Sequence, residues 1–163
     1  MVWKYLWTFV LGIVFLYLQV LVMPALSIGG ISPNILLPWL IYCVWMKPIN
    51  VAAVTGFVIG LMYDSTMPSS FGLNAIIFVI LCVVIDLFRK PFEAESMVAK
   101  LLTLLTANVV YALISHLVLG LSFGFDTKLF NLILLGFIYN LAFSFVVFFV
   151  MKFLSRLRVV AVE

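Results

Sequence analysis

Apolar residues run along this chain in long unbroken blocks, and polar residues gather in the gaps between them. Reading from break to break gives six segments: Tyr5–Met23, Pro33–Met46, Ile49–Tyr63, Phe71–Phe88, Leu101–Leu121 and Leu129–Phe153. A helix crossing a bilayer needs about 20 mostly apolar residues, whereas a barrel strand shows about 10 residues of alternating character. These blocks do not alternate, so the pattern predicts helices. The second and third are short, with Pro38 inside one and Lys47-Pro48 at the turn between them. Were these two a re-entrant pair, the number of crossings would still be even. The first block follows a single lysine, Lys4, as a signal peptide would, but it continues to Met23 without a small-x-small cleavage site and reads as a retained span. The expected fold is an all-α integral membrane protein, a single polytopic domain over residues 1–163 with about six transmembrane helices.

Composition makes the bilayer a requirement. Of 163 residues, 67% are hydrophobic and 9% charged, against about 25% charged in a typical soluble domain. So few polar groups cannot cover the apolar ones, and the gaps leave no room for a separate soluble domain. Charge then sets the orientation, because Lys and Arg accumulate on the cytoplasmic side. With the N-terminus inside, Lys4, Lys47, Arg89, Lys90, Lys100, Lys152, Arg156 and Arg158 all fall on that side, and Lys128 alone falls outside. Both termini are therefore expected in the cytoplasm of a cell whose cytoplasmic membrane holds the chain. Trp3, Tyr5, Trp7 and Trp45 agree, since amphipathic rings prefer the interface. The net charge of +3 is accounted for by topology signals and headgroup contacts, with Lys152–Arg158 anchoring the last helix, and implies no nucleic-acid partner. The charged segment Arg89–Lys100 reads as a solvated turn or, alternatively, as a docking point for a cytoplasmic partner.

Candidate chemistry is sparse. Cys43 and Cys82 lie inside apolar blocks without a CxxC pair and read as small core residues. The single histidine cannot make a metal cluster, and there is no P-loop, GxSxG or HExxH motif. No cofactor, metal or catalytic residue is expected.

The informative polar groups are those inside the blocks. Gly56, Gly60 and Asp64 are spaced four apart and share one helix face, where two glycines allow another backbone to come close. Asp64 falls at the outer end of the third block, within reach of water and headgroups, where it is expected to end the helix and hydrogen-bond the Ser65–Ser70 turn. Asp86 has Arg89 and Lys90 at i+3 and i+4, an interfacial ion pair. His116 and Gln19 fall near outer ends. At about 1.5 Å per residue, Asn108 and Asn140 lie roughly 10–12 Å and 18–20 Å above the inner ends of their helices. Both amides are expected to face other helices, with a bond between the two as one option. Gly136, Asn140 and Ser144 make a second four-spaced stripe for helix packing.

The stretch Gly56-x-x-x-Gly60-Leu61-x-x-Asp64, followed by Gly72-Leu73-x-Ala75, resembles the signature region of the rod shape-determining protein MreD family. Pro33-Asn34 at the start of the second block resembles that family's Pro-Asp or Pro-Asn opening. Length and span number match as well, so the resemblance covers the whole chain. It implies a membrane scaffold of the bacterial elongation machinery that binds the single-span protein MreC. Around that pair it implies MreB filaments inside, RodA in the membrane and a class B penicillin-binding transpeptidase outside. It also implies a six-helix arrangement like that of the substrate-binding subunits of energy-coupling-factor transporters. Gly56, Gly60, Asp64, Gly72, Asn108, Gly136 and Asn140 are then the candidates for helix packing or partner contact, with Phe143, Phe145, Phe148 and Phe149 as further surface. The partner is MreC or a second copy of the chain.

The same likeness supplies a rival, a vitamin-like ligand held in an outer pocket of Gln19, Asp64, Asn74 and His116. Such subunits usually dock their energising module through an Ala-x-x-x-Ala stripe on the first helix. Here that helix is bulky except at Gly12, which favours the scaffold. An enzyme would need paired polar catalytic groups at one depth, and the sequence offers none.

Overall fold

The computed structural model describes residues 2–92 and 96–160. They form six α-helices: α1 (Val2–Leu21), α2 (Leu36–Met46), α3 (Ile49–Asp64), α4 (Leu73–Arg89), α5 (Met97–Phe123) and α6 (Thr127–Val160). Two short 3-10 turns, Met23–Leu26 and Pro68–Ser70, sit in the connections, and no strand occurs among the described residues. The all-helical expectation holds. The bounds move where local chemistry moves them. α5 starts four residues earlier than the apolar run because Ser96 caps it, accepting from the Ala99 N–H at 3.3 Å. The middle of the Arg89–Lys100 segment, residues 93–95, lies outside the described residues.

α2 organises the bundle. It has 11 residues, about 17 Å of helix, and it touches every other helix. Leu36, Leu37, Leu40, Ile41 and Val44 are completely enclosed. A helix that is apolar all round belongs in an interior, and here the interior is protein rather than lipid. Pro38 does not break it, because it occupies the first turn, where a backbone N–H has no intrahelical acceptor anyway. Pro48 then forces the preceding Lys47 into extended backbone, which ends α2 and starts α3.

The other helices ring α2, with α3 and α4 forming the most extensive pair. Their outward faces are apolar: Val54, Phe57, Ile76, Leu87, Leu113 and Val146 are all exposed. A surface of that kind is solvated by lipid, not water. By length and composition, Met97–Phe123 and Thr127–Phe153 can each cross a bilayer, while Tyr5–Leu21, Leu36–Met46 and Ile49–Asp64 are shorter apolar helices.

Candidate functional site

Four buried polar side chains, Gln19, Asn34, Asp64 and Asn74, gather at one end of the bundle. Asp64, the last residue of α3, is 0% exposed, which corrects the expectation that water and headgroups reach it. Among the described residues, its carboxylate bonds the start of α4 and not the turn that follows α3. Oδ1 accepts from the Asn74 backbone N–H at 3.1 Å and from Asn74 Nδ2 at 2.8 Å, and Oδ2 accepts from the Ala75 N–H at 3.0 Å. The two backbone N–H groups are orphan donors of the first turn of α4. The N-cap position of α4 is Gly72, which has no side chain to satisfy them, so the carboxylate of α3 caps α4 from outside.

Gly60, one turn before Asp64, completes this socket. A Cβ there would lie 2.7 Å from the Ala75 Cα and 2.9 Å from its N. Only glycine lets the backbone of α4 come down onto the carboxylate. Gly56 serves a neighbouring contact, against Leu40 of α2. Gly72 acts differently from the packing role expected of it. A Cβ at Gly72 would meet nothing within 4 Å, and its φ of +88° is what demands glycine.

α2 is held in the same manner at both ends. At its start, Gln19 of α1 accepts from the Ile35 N–H at 2.7 Å and donates to the Pro33 carbonyl at 3.1 Å. Asn140 of α6 accepts from the Asn34 N–H at 2.8 Å, and Asn34 itself accepts from the Leu36 N–H at 3.0 Å. At its other end, Arg89 of α4 donates to the Val44 carbonyl while its guanidinium grips Asp86 Oδ1 at 2.7 Å, and Lys90 reaches Asp86 Oδ2 at 3.1 Å. Trp45 adds a bond from its indole N–H to Thr103 of α5 at 3.1 Å, beneath the Lys100 ammonium. A helix that begins and ends inside an apolar body has no water to satisfy its terminal backbone groups. Neighbouring helices supply what water would.

Several expectations change accordingly. Asn108 and Asn140 do not bond each other; the amide of Asn108 donates to Leu104 of its own helix at 2.8 Å. Both nevertheless line one cavity of about 200 Å³ between α5, α6 and Ile31. Gly136 also borders that cavity, with ordinary contact to Ile31 rather than a close-packed helix. Ser144 is fully buried, and Phe148 belongs to the core against Tyr42 rather than to a docking surface. The four residues of the outer pocket do not make one. Gln19, Asp64 and Asn74 are engaged with helix ends or one another, and His116 stands apart, edge-on to Phe125 and Phe130 at 5.5 and 6.2 Å.

Tyr111, whose hydroxyl donates to Asn74 Oδ1 at 3.4 Å, and Gly12, which abuts Trp39 and Ile59, stand outside the candidates for packing or partner contact. A lone glycine in an otherwise bulky helix was the available signal for the second. Among the described residues, no group of three or more His, Cys, Asp or Glu could hold a metal.

Fold and site together define an all-helical membrane protein whose buried polar side chains serve its own architecture. The profile of the family described as rod shape-determining protein MreD matches residues 2–159, and the chain belongs to that family. Its role lies in the determination of rod shape, and it is associated with the membrane. No curated protein and no solved structure matches it.

Proposed function

We propose that the chain is a non-enzymatic membrane scaffold of the bacterial elongation machinery. It binds MreC directly and supports lateral peptidoglycan synthesis alongside RodA, a class B penicillin-binding transpeptidase and MreB. The observation that carries this reading is how its intramembrane polar groups are used. Gln19, Asn34, Asp64 and Asn140 are engaged with backbone at helix ends. Catalysis needs acid, base and nucleophile converging on free space; groups already saturated by backbone suit a fixed shape.

In this reading the chain crosses the cytoplasmic membrane six times, and α2 crosses as the protein-lined centre of the bundle. The Asp86 end carries Lys47, Arg89, Lys90, Lys100 and Lys152 and faces the cytoplasm with both termini. The six-helix arrangement is then related to that of energy-coupling-factor substrate-binding subunits, adapted to hold proteins together. Affinity purification of the full chain from its native membrane in mild detergent tests the proposal. Mass spectrometry should find MreC with RodA and the transpeptidase; recovery of a transporter ATPase and its coupling subunit in their place would overturn it.

A further inference from the structure

The helices do not reach equally far. At the Asp86 end their levels agree: Arg89 holds the Val44 carbonyl, Trp45 bonds Thr103, and Lys152 meets Met97. At the Asp64 end they part. Asn34 and Asn74, at the starts of α2 and α4, bond Asn140 and Tyr111, which lie in the middle stretches of α6 and α5. From Tyr111 to Phe123, the last residue of α5, is about 18 Å at 1.5 Å per residue. The turn after α3 stays low, because the Met67 N–H donates to the Asp64 carbonyl and keeps Met67 within about 5 Å of that level. The α5–α6 pair therefore overtops the α3–α4 turn by about 13 Å.

Each level makes its own demand on the surroundings. Residues 65–68 of the low turn are exposed and not α-helical, and exposed irregular backbone does not lie in hydrocarbon. The α1–α2 connection, exposed over residues 24–30, is tied to α6 well short of its tip, where Tyr139 holds the Leu26 carbonyl. Water and headgroups must come down to both. The tall pair demands the opposite. Leu117, Leu121 and Phe123 of α5 and Phe130 and Leu134 of α6 are exposed, and no Asp, Glu, Lys or Arg occurs between Lys100 and Asp126 or between Lys128 and Lys152. These side chains project in several directions. A single docked helix would cover one side of them, whereas acyl chains cover all.

We infer that the chain builds a step into the bilayer, with hydrocarbon about 13 Å thinner beside α3–α4 than beside α5–α6, measured along the helices. A flat core of about 30 Å matches neither side, since α3 has 16 residues, about 24 Å, and α5 has 27, about 40 Å. Tilting the bundle shortens both heights together and leaves the step in place. The inference rests on the reading that the helices cross the membrane, and gives that membrane a shape. Mismatched lipid is relieved when spans of matching length pack there, so the step sorts neighbouring helices by length.

The test is spin-label depth measurement on the full chain, purified and reconstituted alone in vesicles of phosphatidylethanolamine and phosphatidylglycerol. The labelled variants are Phe57→Cys, Met67→Cys and Leu121→Cys, all at exposed positions. Native Cys43 and Cys82 are buried, and wild type taken through the same labelling is the control. Collision with oxygen marks hydrocarbon, and collision with a nickel chelate marks water. The oxygen-to-nickel ratio should be high at Phe57, midway along α3, and at Leu121, and low at Met67. Leu121 lies about 10 Å farther out than Met67, so no flat bilayer gives this order.

A hydrocarbon signal at Met67, or a water signal at Leu121, would overturn the step; with Phe57 still in hydrocarbon, the membrane crossings would stand. Water at all three positions would overturn both.

Discussion

Removing the Asp64 carboxylate tests the central claim about how this bundle is held. In Asp64→Ala, the N–H groups of Asn74 and Ala75 lose their acceptor at the start of α4, and Gly72 offers no side chain in its place. The Asn74 side-chain amide also loses a partner, but it can turn elsewhere. A buried donor left unpaired costs about 1–3 kcal/mol in soluble proteins. Hydrogen bonds inside membranes average only about 0.6 kcal/mol, because the unfolded chain in lipid also finds partners. Two backbone donors therefore place the loss at about 2–4 kcal/mol. At roughly 2–4 °C per kcal/mol for a chain of this length, the melting temperature should fall by about 4–16 °C.

Asp64→Asn keeps one acceptor oxygen but turns an amide toward the second backbone N–H, so it should fall between wild type and Ala. Asn74→Ala leaves both backbone bonds in place, removes the side-chain bonds to Asp64 and from Tyr111, and should cost about 1 kcal/mol. The assay is heating in detergent followed by the loss of the monodisperse peak on size exclusion, for all three variants beside wild type. An Asp64→Ala protein that melts within about 1 °C of wild type would refute the capping argument. So would an Asn74→Ala loss as large as that of Asp64→Ala.

The remaining predictions use the same assay. Gly60→Ala forces a methyl group against the Ala75 backbone and should cost about 1–3 kcal/mol, whereas Gly56→Ala meets the tip of Leu40 and should cost less; the reverse order would count against the socket. Gly72→Ala places a Cβ at φ +88° and should cost about 1–2 kcal/mol despite the open space around it. Arg89→Ala uncaps Val44 and leaves Asp86 to Lys90, with an expected loss of about 1–3 kcal/mol. Arg89→Lys should not restore it, since one ammonium lacks the fork that bonds a carbonyl and a carboxylate together, and full recovery would show that charge alone suffices.

Much of the fold was legible because insertion into lipid imposes it locally. Each apolar block became a helix, the Lys47-Pro48 break fell where α2 meets α3, and Asp86 found Arg89 and Lys90 at the expected offsets. The centrality of α2 was not legible. In a soluble helix the polar face marks the outside, but here core and lipid are equally apolar, so no periodicity separates buried Leu40 from exposed Phe57. The partners of the polar groups were hidden for a different reason. Asp64 lies 10 residues from Asn74, and Gln19 lies 16 from Ile35. Spacing within one helix reveals the face that Gly56, Gly60 and Asp64 share, but not that the face receives the end of α4.

The bond from the Asn34 N–H to Asn140 spans 106 residues, and it bears on how the chain is made. Residues emerge from the ribosome in order, and α2 enters the bilayer while α6 is still untranslated. Until Asn140 arrives, one of the donors leading into α2 has no acceptor from the finished bundle. The central helix is therefore synthesised early, directly after α1, and is among the last to be completed. A nascent chain halted before α6 should have α2 in the membrane but not yet locked, and so open to the quality-control proteases that patrol it.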